Sequence, residues 1–282
     1  MPSDEIALSI ADGVGEIVLN RPDQLNPISA RAGGTRDQIV SALEQCESDP
    51  SVGCVLIRGA GNAFSAGGDL TGNARRETLA EQRAFVAAAD AFHRRVRKAT
   101  VPVIAAVHGY CLGAALNLAL ACDFVIAGEG ASFGLPEGRI GLVGAAPLVP
   151  VVGSRWATFL MITGELIDAR TARQIGLVLV VERDDELLDR TRDLAGRIAR
   201  MPRQAVRLNR LTIDAVASAG GDPARRSAAL DGDAVTLAAS AGAAAPDGRS
   251  FTEIIAAEGI AGLKAARQQQ YREPWLRRDT DR

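Results

Sequence analysis

Histidine and cysteine are scarce in this chain of 282 residues. His93 and His108 stand alone, and Cys46, Cys54, Cys111 and Cys122 form no CxxC pair. A His/Cys metal centre needs several such ligands at close spacing, so no metal is expected, and no disulfide framework either. The four thiols fall in mostly apolar stretches and read as reduced and buried, which suits a cytoplasmic protein. Basic excess is missing too: 32 Lys and Arg against 34 Asp and Glu leave a net charge of -2. With no block of like charge to offset that balance, a nucleic-acid partner is not expected. No apolar run approaches the roughly 20 residues of a bilayer crossing. Met1 to Ile10 lack a basic stretch followed by an apolar one, so neither a membrane nor a secretion address is expected.

What is present is apolar mass, 47% of the residues, enough for one large domain with an appendage. Ile6, Leu8 and Ile10 alternate, Asp12-Gly13 marks a turn, and Ile17-Val18-Leu19 resumes, which predicts a hairpin. Ser29 is read as the cap of a helix reaching about Glu47. Short apolar runs at Val52 to Arg58, Val103 to Val107 and Phe124 to Ala127 read as buried strands. Helices are predicted over Glu77 to Ala99 and Leu112 to Ala121. Strand, turn and helix thus recur through about the first 180 residues, giving an α/β core with parallel strands, whose ligands bind where strands end and helices begin. Beyond Glu186 the pattern is helical alone, over Glu186 to Arg200, Arg203 to Ser218 and Glu258 to Tyr271. Gly220 to Ser250, rich in Ala, Gly, Asp and Ser, has room for one weak helix around Ala224 to Ala239. A boundary near residue 200 divides a core, 1–200, from a helical region, 201–282.

Two loops follow buried strands and offer small residues at a helix entrance. They are Phe64-Ser65-Ala66-Gly67-Gly68-Asp69-Leu70 and His108-Gly109-Tyr110-Cys111-Leu112-Gly113-Ala114. Either they are tight turns that pack, or their free N–H groups hold an oxygen that gains negative charge.

Those loops, with Leu19-Asn20-Arg21-Pro22, the run Pro102 to Tyr110, Ala121-Cys122-Asp123 and Phe133-Gly134-Leu135-Pro136-Glu137, stand in the order and spacing of the crotonases. The sequence therefore resembles the enoyl-CoA hydratase/isomerase superfamily from about Ile6 to Val181, and again at Glu258 to Leu263. The resemblance implies a crotonase-like spiral of ββα turns with a C-terminal helical region that oligomerises, as a homotrimer or hexamer. It implies an acyl-CoA thioester as substrate, with coenzyme A part of that substrate and no separate cofactor. The thioester carbonyl would point at two backbone N–H groups, by position those of Ala66 and Ala114, and an enolate would rest there. Ala63, Gly67, Gly68, Asp69, Leu70 and Gly113 would line the bound thioester, with Arg21 to Pro27 at its pantetheine and nucleotide end.

Hydratases of the family use two carboxylates, and here the resemblance places Glu137 at one position and Asn117 at the other. An amide orients water but does not exchange a proton at a useful pKa, whereas one carboxylate suffices to take a proton from one carbon and return it to another. Double-bond isomerisation, or a variant hydration, is the expected chemistry. Hydratase-lyase or decarboxylase activity on a CoA thioester is the alternative, and an inactive binding or scaffolding subunit the rival from another class. A second departure is Gly141 to Leu148, which replaces a Pro-Gly-x-Gly-Gly-type turn and leaves the acyl group open. The simpler readings are a packing role for His108, a solvated face for His93, a surface place for Glu137 and a backbone-bonded helix site for Asn117. Arg21 is either a CoA-phosphate contact or structural. Trp156, Trp275, Tyr110 and Tyr271 read as core or interface residues.

Overall fold

The computed structural model describes residues 4–71, 78–140, 146–218, 230–231, 234–235, 244–245 and 247–268. The chain opens with the antiparallel hairpin β1 (Ile6–Ala11) and β2 (Val14–Leu19), in register from Ile6 opposite Leu19 to Ala11 opposite Val14. Asp12 and Gly13 both take positive φ, 51° and 78°, the geometry that a two-residue hairpin turn requires. After α1 (Thr35–Ser48), β3 (Cys54–Gly59) adds in parallel to β2. After α2 (Leu79–Arg97), β4 (Val103–Val107) adds in parallel to β3.

Beyond β4 the chain makes a short strand, β5 (Tyr110–Leu112), and then α3 (Ala114–Ala121). It returns to the first sheet as β6 (Phe124–Gly128). Next come β7 (Ser132–Gly134), α4 (Val149–Thr163, kinked at Gly153), β8 (Leu166–Asp168), α5 (Ala169–Gln174) and β9 (Val180–Glu182). The main sheet runs β1-β2-β3-β4-β6-β9, and β5-β7-β8 form a second, three-stranded sheet.

Burial on both faces explains the unbroken apolar runs of the central strands. Val55, Ile57, Val103 and Ala105 face a core shared with Ile39, Leu43, Phe92, Val96, Leu116 and Leu118 of α1, α2 and α3. Their neighbours Cys54, Leu56, Ile104 and Ala106 point the other way, against Leu187, Ala195 and Ile198 of α6 (Leu187–Ala199). The last described helices are α7 (Arg203–Ser218) and α8 (Phe251–Gln268), the latter kinked at Gly259. The division near residue 200 falls between α6 and α7.

Local pattern and structure differ at three places. The α1 helix begins at Thr35, not after Ser29, because Ser29 Oγ accepts from the Thr35 N–H at 2.9 Å and residues 29–34 form a loop first. The predicted helix from Leu112 begins at Ala114, because Tyr110 to Leu112 are taken up by pairing with β7. Helix α8 starts at Phe251, ahead of the predicted Glu258. Glu77, Gly141 to Ala145 of the Gly141 to Leu148 segment, most of Gly220 to Ser250, Tyr271 and Trp275 lie outside the described residues.

Candidate active site

The loop after β3 lies on a floor made by the exit of the hairpin, residues 20–28. Asn26, only 1% exposed, holds the two together: its side-chain amide donates to the Ala60 and Ala63 carbonyls, both at 2.8 Å. Its Oδ1 accepts from the Arg21 N–H at 3.0 Å. Leu25 and Asn26 both adopt left-handed φ, 59° and 53°, a local cost that the surrounding bonds offset. The second loop then docks on the first through a parallel bridge between Ser65 and Cys111. Within it the Ser65 N–H donates to Tyr110 O at 2.9 Å and the Leu112 N–H to Ser65 O at 3.2 Å.

The bonds that the first loop makes to the hairpin exit decide which of its amides are available. The Ala66 N–H donates to Leu25 O at 2.9 Å, so it is already satisfied and cannot serve as the donor that sequence position suggested. The Gly67 N–H donates to Ser65 Oγ at 3.1 Å. Gly68 forms a parallel bridge with Ile28, made by the Ile28 N–H on Gly67 O (2.8 Å) and the Asp69 N–H on Ile28 O (3.0 Å). Both bonds flank Gly68 and leave its own N–H on the opposite, exposed side. A Cβ at Gly68 would lie 3.8 Å from Ala114 Cβ, so the two residues face one another across the loops. Ala114 is the first residue of α3, where an amide has no partner within the helix, and its Gly113 cap supplies no side-chain bond. Gly68 and Ala114 thus stand side by side, the first with its N–H turned away from Ile28 and the second at the positive end of a helix.

Glu137 reaches the same place from the second sheet. Leu112 of β5 pairs with Gly134 of β7, and the Gly113 N–H donates to Gly134 O at 3.0 Å. The chain then turns through Pro136–Ile140, a 3-10 turn that brings the Glu137 carboxylate back over Gly113. A Cβ built at Gly113 would stand 1.4 Å from Glu137 Oε1 and 2.5 Å from Cδ, so the carboxylate occupies the space that a side chain there would fill. Gly113 is also held at φ 54° and ψ -118°, a conformation for glycine alone. Arg139 anchors the turn: its Nε donates to Thr163 O at 2.9 Å and Nη2 lies 3.1 Å from Glu165 Oε1, with both side chains 6% exposed. Asn117 stands one turn into α3, its N–H donating to Gly113 O at 3.1 Å. Glu137 Oε2 and Asn117 Oδ1 are both hidden from solvent.

Of the other residues singled out in the sequence, Ala63 is buried and receives the Asn26 amide, so it braces the loop. Gly67, at φ 109°, lies so close to Leu112 O that a Cβ there would stand at 2.8 Å, and Leu70 is exposed. Asp69 Oδ1 accepts from the Thr71 N–H at 2.9 Å and its Oδ2 pairs with Arg21 at 2.8 Å. Burial would raise the Asp69 carboxyl, but the Thr71 and Arg21 hydrogen bonds outweigh it and hold the group below its ordinary value. His108 packs as a brace, Nε2 lying 2.9 Å from Gly61 O. His93 is not on a solvated face: half-buried, its ring lies tilted against Phe92 at 5.2 Å, and burial, helped by the Arg36 charge, pushes its pKa down to about 3. All four cysteines are free and buried, and burial pushes the thiols up, Cys46 to about 11 and Cys54 to about 12. Among the described residues no cluster suits a metal ion, and no helix is long and apolar enough to cross a membrane. In the sequence Gly68 was read only as lining the bound thioester, and the bracing bonds of Asn26 were missed. The direction of the Gly68 N–H follows from its own bridge with Ile28, a pairing that the sequence does not reveal.

The profile of one protein family, enoyl-CoA hydratase/isomerase, matches residues 9–248. A probable enoyl-CoA hydratase of Mycobacterium leprae is 35% identical over 212 residues, 74% of this chain and 80% of that protein. A 2,3-dehydroadipyl-CoA hydratase of Escherichia coli is 36% identical over 203 residues, 70% and 76% of the two chains. The crystal structure of an enoyl-CoA hydratase/isomerase from Xanthobacter autotrophicus Py2 superposes with a TM-score of 0.87 at 30% identity, covering 95% of this chain and 98% of that one.

Proposed function

Since the chain belongs to the enoyl-CoA hydratase/isomerase family, we propose that it holds an acyl-CoA thioester carbonyl between the Gly68 and Ala114 N–H groups. Glu137 then moves a proton on the acyl chain. The observation that carries this reading is the seat of the Glu137 carboxylate on Gly113, next to the first free amide of α3. A carbonyl oxygen in the gap accepts two hydrogen bonds that strengthen as it becomes an enolate oxygen, while its α-carbon lies toward the base. The Glu137 carboxylate removes an α-proton from a bound 3-enoyl thioester, the electrons spread over a dienolate whose oxygen lies in the gap, and the same carboxyl returns the proton to the γ-carbon as the carbonyl re-forms, leaving the 2-enoyl thioester. The double bond shifts and no atom is gained or lost. Asn117 positions the acyl chain or a water but exchanges no proton, which favours isomerisation, or a hydration in which Glu137 serves both steps. Coenzyme A arrives with the substrate, and the chemistry needs no further cofactor. The buried thiols support a cytoplasmic setting.

In the protomer, Leu208 and Leu211, both 54% exposed, together with Ala215, form a stripe along α7 at helical spacing. That stripe supports assembly into a homotrimer or hexamer. The site reading is tested by solvent-deuterium exchange at the α- and γ-carbons across a panel of enoyl-CoA thioesters. Glu137→Gln abolishes exchange, Asn117→Ala leaves a part of it, and Asn117→Glu shifts product toward the hydrated thioester. Native-rate exchange by Glu137→Gln means that another base does the chemistry.

A further inference from the structure

We propose that Arg21 is a positioning residue: by joining Asp69 to the buried carboxylate of Glu5, it fixes the direction in which the Gly68 N–H points. The proposal rests on the reading of Gly68 as an oxyanion donor. Arg21 Nη1 lies 2.8 Å from Asp69 Oδ2 and 3.4 Å from Glu5 Oε1, and Nη2 donates to Gln24. The three side chains are shielded, at 17%, 9% and 0% exposure for Arg21, Asp69 and Glu5, so water cannot readily replace one member.

Each end of the link is itself tied down. Glu5 accepts from Ser29 Oγ at 2.5 Å, from Thr35 Oγ1 and from Arg31, while its own N–H donates to Gln38 Oε1 at 2.8 Å. Burial would raise the Glu5 carboxyl, but these hydrogen bonds and the Arg21 charge keep it below its ordinary value. At the other end, Asp69 is the residue after Gly68, and its N–H is fixed on Ile28 O at 3.0 Å. The peptide carrying the Gly68 N–H is thereby held between the Gly67 carbonyl, bonded to Ile28, and the Asp69 side chain, bonded to Arg21. Nη1 faces both carboxylates while Nη2 of the same plane is held on Gln24, so the planar group is fixed on two sides, which an ammonium does not reproduce. The charges of Arg21 and Arg31 are matched by those of Glu5 and Asp69, which weighs against service of Arg21 as a contact for a CoA phosphate.

The test compares acyl-CoA with the matching acyl-pantetheine thioester, which has no nucleotide phosphates, with deuterium exchange as readout. Arg21→Gln is expected to lower kcat about 10- to 100-fold by the same factor on both substrates, with KM for acyl-CoA little changed. Arg21→Lys recovers only part of the loss. Asp69→Asn, which leaves Glu5 its partners, gives a loss of the same order, and the double variant is no worse than either single one. Melting curves establish that the variants compared are folded. A loss confined to acyl-CoA and seen in KM makes Arg21 a phosphate contact and overturns the proposal, as do losses that multiply in the double variant. Gly68→Pro separates the two levels: if it loses turnover while Arg21→Gln keeps it, the positioning role alone fails. Wild-type turnover in Gly68→Pro removes the oxyanion site on which that role rests.

Discussion

Replacing Gly113 by alanine puts a methyl group where the Glu137 carboxylate now sits. The new Cβ stands 1.4 Å from Oε1, and restoring ordinary contact moves that oxygen by about 2 Å. A displacement of about 1 Å at a reacting group is enough for a 100-fold loss, so Gly113→Ala is expected to reduce proton exchange by at least that factor. Stability falls as well, because φ 54° with ψ -118° costs a residue with a Cβ about 1–3 kcal/mol. That loss lowers Tm by about 2–4 °C per kcal/mol in a chain of this size. The two effects separate in a cycle with Glu137→Ala, which removes the group that the methyl strikes. In that background the methyl group has space and only the backbone cost remains, so Gly113→Ala is less destabilising than in the native protein. The assays are solvent-deuterium exchange and thermal melting of the four proteins. A folded Gly113→Ala variant exchanging at the native rate refutes the placement of Glu137 on Gly113, and strict additivity in the cycle refutes the clash.

Ala114→Pro removes one amide at the first position of a helix, where proline is well tolerated; turnover is expected to fall about 100- to 1,000-fold with little change in melting, and an unchanged kcat dismisses Ala114 as a donor. Glu5 and Asp69 both titrate lower in the folded protein than in the unfolded chain. They therefore add stability above their ordinary values near pH 4 and lose it as the pH falls through their lowered folded values. Acid titration of stability should steepen below about pH 4 and become shallower in Glu5→Gln; identical curves for the two proteins contradict the assignment. Light scattering at micromolar concentration should find a trimer or hexamer, and Leu208→Lys with Leu211→Lys should shift it toward the monomer; a native protein that is monomeric ends that expectation.

What the sequence made legible was short-range. The hairpin followed from alternation around Asp12-Gly13, and β4 and α7 lie where their patterns ended. Ala114 and Glu137 were picked out by the family resemblance, and the structure brings them to one place through Gly113. The misses involve partners far along the chain. Tyr110 to Leu112 is apolar enough to start a helix, and only Ser132 to Gly134 turns it into a strand. Ala66, Gly67 and Gly68 are equally small, and which of their amides stays available depends on Leu25, Ser65 and Ile28. Glu5, Arg21 and Asn26 are polar residues near strand ends, unremarkable until burial makes each bond obligatory.

The halves of the site hang from different sheets. Gly68 is carried by a loop leaving the six-stranded sheet, and Glu137 by a turn leaving the three-stranded one, with α3 at the seam. For descent and for engineering, this makes the site divisible. On the proposed roles, substitutions around β8 and the Arg139–Glu165 pair would re-aim the proton-carrying group and leave the Gly68 loop untouched, whereas those in β7 would also reach Ala114 through β5. If those roles hold, the chemistry at Glu137 could be exchanged while the Gly68 loop, anchored on the hairpin exit, keeps its shape.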